Sequence, residues 1–241
     1  MIARGRIRRG AIACVSMTIA LLAGCDWMPG RPTEAEMPLR PSAITDFGQL
    51  YGENCVGCHG ADGKLGPAIA LNNPVYLAIV DDASMRRVIA NGTAGTAMPP
   101  FLRAQGGTLT DQQIDLLVAG IRKKWSGDSN AGAGTPPYAS NAAGDPNRGA
   151  RVYAANCQSC HGPDGKGAAA GSIIDASFLA LVSDQNLRAT IIAGRPDLGH
   201  PDWKGYPAGQ ALNSQQVSDV VAWMASKRPA SQLSASNAAI H

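Results

Sequence analysis

Two short stretches hold most of the reactive side chains in this sequence: NCVGCHGADGK, with Cys55, Cys58 and His59, and NCQSCHGPDGK, with Cys157, Cys160 and His161. Two thiols and an imidazole within five residues suit three chemistries. A structural zinc site needs two Cys-x-x-Cys pairs close together, but these pairs lie 102 residues apart with one histidine each, which leaves three local ligands at most. A thioredoxin-like dithiol needs a βαβ context, and the helical patterning described below offers none. The third chemistry uses all three side chains. On one helical turn, cysteines at i and i+3 project from the same side and form thioethers with the two vinyl groups of a haem, while the histidine at i+4 reaches the iron. The sequence therefore predicts two covalently bound haem c groups, held by Cys55 and Cys58 with His59, and by Cys157 and Cys160 with His161.

The elements around these units repeat as well. An offset of 102 carries Tyr51 to Tyr153, Lys64 to Lys166, Arg86 to Arg188, Gly92 to Gly194 and Pro99 to Pro201 without a gap. Beyond the repeat block, Ile114, Leu117, Val118 and Ile121 take the i, i+3, i+4, i+7 spacing of a buried helical stripe, and Val217, Val220, Val221 and Met224 repeat it at an offset of 103. One inserted residue thus separates the second block from its last helix. Thr110 or Asp111, and Asn213 or Ser214, supply the helix starts. The fold class is all-α, in two copies of one domain.

The chain has 241 residues, 45% of them apolar but only 5% aromatic, a composition that leaves room for a bulky cofactor in each small core. Arg4, Arg6, Arg8 and Arg9 precede an apolar run, 11–24, too short for a membrane span, and the run ends in Leu22-Ala23-Gly24-Cys25. This ending resembles the bacterial lipoprotein box, which makes Cys25 the lipidation site and assigns Cys14 to the discarded signal. Removing 1–24 lowers the formal net charge from +3 to −1, so no basic footprint for nucleic acid remains. Pro29, Pro32, Pro38 and Pro41 mark an extended tether, and the Gly, Ala, Ser and Pro of 126–147 mark a linker.

With both haem motifs, their flanking helices and the linker in view, the region from Ile44 to Arg228 resembles the diheme class I c-type cytochromes. The resemblance implies two tandem class I cytochrome c domains, each wrapped around one haem. The organisation expected is a signal peptide over 1–24, a tether over 25–43, a first domain over 44–125, the linker over 126–147, a second domain over 148–228 and a disordered tail over 229–241 that ends in His241. In that family a small residue and an aromatic precede the first cysteine. Gly149 and Tyr153 fit, whereas the first copy has Phe47 and Tyr51. A proline after the histidine often lends its carbonyl to the other ring nitrogen; Pro67 fits, and Ala169 is its counterpart.

The family also closes the far side of the iron with a methionine from a later loop, a role that falls to Met98. Met28 and Met37 lie in the tether and Met85 in a helical stretch. In the second copy the 102 offset lands on His200, followed by Pro201 as Met98 is by Pro99. Met224, the rival, falls on the buried stripe. The metal ligands expected are thus His59 and Met98 in one half, and His161 and His200 in the other. The resemblance implies an electron carrier anchored on the periplasmic face of the bacterial cytoplasmic membrane, where Asp26 after Cys25 resembles a retention signal. Its expected partners are a quinol-oxidising complex and a terminal oxidase or soluble cytochrome. A diheme peroxidase-like enzyme, or another haem oxidoreductase that uses the second haem for catalysis, remains the alternative.

Overall fold

The computed structural model describes residues 30, 32–33, 36–127, 131–206 and 209–229. The signal peptide, Cys25, Asp26, Met28 and His241 lie outside them. The chain divides into a short unit, Met1–Pro41, and a larger one, Ser42–His241. In the short unit, Thr33 donates its backbone N–H and its hydroxyl to the Glu36 carboxylate. The larger unit contains both repeats. No helix among the described residues is long and apolar enough to cross a membrane.

Each repeat runs through five helices in the same order. The first has α1 (Phe47–Asn54), α2 (Val56–His59), α3 (Pro74–Ile79), α4 (Asp82–Asn91) and α5 (Asp111–Trp125); the second has α6 (Pro146–Asn156), α7 (Gln158–His161), α8 (Ala176–Leu181), α9 (Asp184–Ala193) and α10 (Ser214–Ala225). Side chains that accept from exposed N–H groups fix the starts: Asp46 for α1, Asn73 for α3, Asp145 for α6 and Ser183 for α9. Thr110 with Gln113, and Asn213 with Gln216, close reciprocal capping boxes on α5 and α10. In the second half α6 starts at Pro146, because Asp145 caps the helix and Pro146 presets its first turn.

The apolar stripes are buried as their spacing requires. Ile114, Leu117, Val118 and Ile121 line one core, while Val220, Val221 and Met224 join Tyr153, Leu179 and Trp223 in the other. Val217 packs in a further cluster with Ile192, Trp203, Tyr206 and Leu212. Where α1 crosses α5, the ring of Phe47 lies on Gly120, and a Cβ there would come within 2.0 Å of that ring. At the equivalent crossing of α6 and α10 the small residue is Gly149, where a Cβ would come within 2.0 Å of the Asp219 carbonyl oxygen and 2.8 Å of the Trp223 Cβ.

The linker packs rather than merely spanning a gap. Pro136 is fully buried, the Tyr138 ring meets Tyr76 of the first half edge-on, and buried Arg188 of the second half donates to the Pro137 and Tyr138 carbonyls. The halves also join directly. Asn73 uses its Oδ1 to cap α3 and its Nδ2 to donate to the Ala193 carbonyl at the end of α9, at 2.9 Å. The Ala97 N–H donates to the Leu181 carbonyl. Val75 and Ile79 of α3 pack on the cluster that contains Ile192 and Trp203.

Candidate functional site

In both repeats the cysteine that ends the first helix opens the single turn bearing the second cysteine and the histidine. The His59 N–H donates to the Cys55 carbonyl at 2.9 Å and the His161 N–H to that of Cys157 at 3.0 Å, which places the two thiols of each unit along one side of the turn. Gly60 and Gly162 then turn the chain with φ of 78° and 80°, and their carbonyls accept from the Tyr51 and Tyr153 hydroxyls. Trp125 packs edge-on against Tyr51, and Trp223 stacks on Tyr153 at 4.2 Å.

The thiols are free, Cys58 and Cys160 exposed and Cys55 and Cys157 half-buried. Burial pushes the Cys55 thiol up to about 11 and that of Cys157 up to about 12, the opposite of the lowered value that makes a dithiol reactive. No group of three or more His, Cys, Asp or Glu among the described residues is arranged to hold a metal ion. Free thiols along one side of a single turn fit attachment of a large group through both sulfurs.

The histidines are set for a ligand on one side. His59 Nδ1 lies 2.8 Å from the Ile69 carbonyl oxygen and His161 Nδ1 3.0 Å from that of Gly171, a pairing that places the proton on Nδ1 and leaves Nε2 as the donor atom. This corrects the expectation for Pro67. The accepting carbonyl sits two residues later, at Ile69, and Gly171 is its 102-offset counterpart. The support is backbone, so the second half keeps it without a proline.

The loops expected to close the far side match each other. The Thr93 N–H donates to the Met98 carbonyl at 2.9 Å, and the Arg195 N–H to the His200 carbonyl at 3.1 Å. Gly92 and Gly194, with φ of 64° and 67°, lie against Pro99 and Pro201 so closely that a Cβ would come within 2.5 Å of either proline carbonyl carbon. Met98 is half-buried against the first core. Met85 and Met224 are buried within the cores, as their place on helices implies. In the second half the ring centroids of His161 and His200 lie 6.1 Å apart, with the ring planes tilted by 52°. A metal bonded to two imidazoles at about 2 Å separates their ring centres by about 6 Å, so the pair fits one iron between them. Burial, reinforced by His161 and Arg195, pushes His200 below its ordinary range and keeps it a neutral donor.

Two polar atoms here are buried without a hydrogen-bond partner, His200 Nδ1 and Trp203 Nε1, which suits a space shaped for a further group. Tyr206 stands edge-on to the His200 ring at 5.8 Å and donates its hydroxyl to the Ile191 carbonyl. Sequence reasoning missed it because it falls where the extra residue breaks the repeat register. Ile69, Gly171 and Arg195 were also missed, since each acts through backbone groups or across the two halves.

Comparison with known proteins agrees with this geometry. Residues 146–227 match the family described as Cytochrome c, and residues 42–119 match that described as Cytochrome C oxidase, cbb3-type, subunit III. The chain is a diheme c-type cytochrome. Each haem is bound covalently, through Cys55 and Cys58 or through Cys157 and Cys160. The diheme cytochrome is 27% identical over 184 residues to the Cbb3-type cytochrome c oxidase subunit FixPc of Rhizobium leguminosarum bv. viciae, an alignment covering 71% of this chain and 58% of the relative. It is 29% identical over 142 residues to the subunit FixP of Sinorhizobium medicae, over 55% of this chain and 44% of the relative. A Cytochrome bc1 complex cytochrome c subunit of Mycobacterium bovis is 24% identical over 230 residues, covering 92% of this chain and 76% of that protein. The chain thus spans about half the length of the two oxidase subunits it matches.

Proposed function

We propose that this diheme cytochrome is a membrane-anchored electron carrier that passes electrons between components of a respiratory chain. The observation that carries the reading is the 6.1 Å separation of the His161 and His200 ring centroids, with His200 on a loop that corresponds by register to the one bearing Met98. With Met98 and His200 as second ligands, both iron coordination shells would be closed, which would favour electron transfer over catalysis on a bound substrate. The naming of relatives as subunits of a cbb3-type oxidase and of a bc1 complex supports partners of those kinds, a quinol-oxidising complex and a terminal oxidase or soluble cytochrome. A lipid on Cys25 would hold the chain at the periplasmic face of the cytoplasmic membrane.

Each haem supplies an iron that gains and loses one electron without any substrate bond changing. The protein sets where that electron rests. His59 and His161 would offer Nε2 to the irons, with Ile69 and Gly171 holding the Nδ1 protons. Met98, a weak donor, would favour the ferrous state in the first half, whereas His200 would favour the ferric state in the second. Electrons would then pass downhill from a donor near the second half towards an acceptor near the first.

A redox titration followed by near-infrared and paramagnetic spectra tests this reading. One methionine-ligated and one lower-potential bis-histidine haem are expected, and His200→Met should raise only the lower midpoint. Unchanged spectra and midpoints in His200→Ala would remove His200 as a ligand. Rapid carbon monoxide binding to one ferrous haem of the wild type would put the peroxidase-like reading first.

A further inference from the structure

We propose that Arg195 bridges the two haem sites: a single buried cation that ties the loop bearing His200 to the loop holding His59 and acts on the potential of both irons. The inference rests on the ligand assignment above. On one side, Arg195 pairs with His200 through two backbone hydrogen bonds, N–H to carbonyl at 3.1 Å and carbonyl from N–H at 3.0 Å. On the other, its guanidinium crosses to the first half, donating from Nη1 to the Ala68 carbonyl at 2.8 Å and from Nη2 to the Gly66 carbonyl at 2.9 Å.

Those two carbonyls belong to the segment that clamps the first haem motif. The Ala68 N–H donates to the Cys58 carbonyl at 2.9 Å, a Cβ on Gly66 would come within 2.3 Å of that same oxygen, and the next residue, Ile69, accepts from His59. Asp197 completes the bridge. It takes a two-pronged contact from Arg195 at 2.9 and 2.8 Å and also accepts from the Leu65 N–H at 2.8 Å. The side chains of the pair are only 10% and 6% exposed, so solvent and salt screen their charges little. The repeat does not explain the residue: its counterpart is Thr93, and that of Asp197 is Gly95.

A fixed positive charge lowers the energy of the state with the extra electron, so it raises a midpoint, and a fixed negative charge lowers it. The decisive measurement is the pair of midpoints in Arg195→Gln, Arg195→Lys and Asp197→Asn, taken on the haem-loaded chain in low and high salt. Both midpoints should fall in Arg195→Gln, stay close to wild type in Arg195→Lys and rise in Asp197→Asn, with shifts that persist in high salt. Asp197→Asn keeps the guanidinium bonds to Gly66 and Ala68, so it carries the test alone if Arg195→Gln does not fold. Movement of one midpoint only, of neither, or of both in the same direction for the two neutralising variants would overturn the bridge. Ligand signatures recorded on the same samples separate this outcome from a wrong assignment of His200. That error would alter the wild-type spectrum, whereas failure of the bridge would leave both signatures intact.

Discussion

At the helix crossing of the first half a large residue on α1, Phe47, covers a glycine on α5, Gly120; in the second half the glycine, Gly149, is on α6 and the large residue, Trp223, is on α10. The two positions correspond, Phe47 to Gly149 and Gly120 to Trp223, so the halves fill the same space with the sizes exchanged between the partners. The indole that packs on the tyrosine follows the exchange. Trp125 reaches Tyr51 from the last residue of α5, and Trp223 reaches Tyr153 from a position equivalent to Gly120. Arginine moves as well. Arg122 donates to the Leu77 and Val80 carbonyls and to Asp82, while Arg228, one turn further along by register, donates to Leu179, Val182 and Asp184. What both halves keep is an indole against the tyrosine, a cation on the end of the third helix and close contact of the outer helices. No single residue is required to provide them.

The comparison breaks most completely at the haem motif. Replacing Cys157 and Cys160 together with Ala should remove one of two covalent haems, read as a halved haem stain on a denaturing gel and a halved α-band, with the first haem's spectrum kept. The next largest effect concerns the exchanged sizes. Gly149→Phe alone drives a ring into the Asp219 backbone and should cost about 3 kcal/mol or more, whereas adding Trp223→Gly, which copies the first half, should recover a good part of it in a denaturant double-mutant cycle.

A smaller contrast separates two equivalent arginines. Arg86 pairs with exposed Asp111 and Asp115, and its loss should cost under about 1 kcal/mol. Arg188→Ala removes a buried guanidinium and its bonds to the Pro137 and Tyr138 carbonyls and to the Ser214 and Ser218 hydroxyls, and should cost about 1–3 kcal/mol. The smallest effect is in acid. Arg195 holds the Asp197 carboxyl down at about 2, below its ordinary 3.8. Its stabilising contribution is therefore complete above about pH 4 and lost as the pH falls through 2. Asp197→Asn should flatten that acid limb in melts recorded between these values.

Much of this was legible in the sequence, because it follows from local rules. The caps at Thr110 and Asn213, the buried stripe from Ile114 to Ile121, the single-turn haem motifs and the register that puts His200 opposite Met98 all depend on spacings of a few residues or on one constant offset. What escaped depends on distant partners. Phe47 and Gly149 were read against a family habit, but their meaning lies on helices about 70 residues away. The proline-carbonyl rule pointed to Pro67, while the loop geometry uses Ile69. Composition marked 126–147 as a linker, and nothing in a run of Gly, Ala and Pro signals that Pro136 is fully buried or that Tyr138 meets Tyr76.

Asn73 has one further consequence. Its amide is 2% exposed, with the oxygen spent on the start of α3 and the nitrogen on the end of α9. Neither half can open without stranding a buried polar group that belongs to the other. A protease cut within 131–135 would therefore leave the fragments together under native conditions, and they would part only on full denaturation. The two haem modules share one tandem ancestry in sequence, but mechanically they behave as a single cooperative piece.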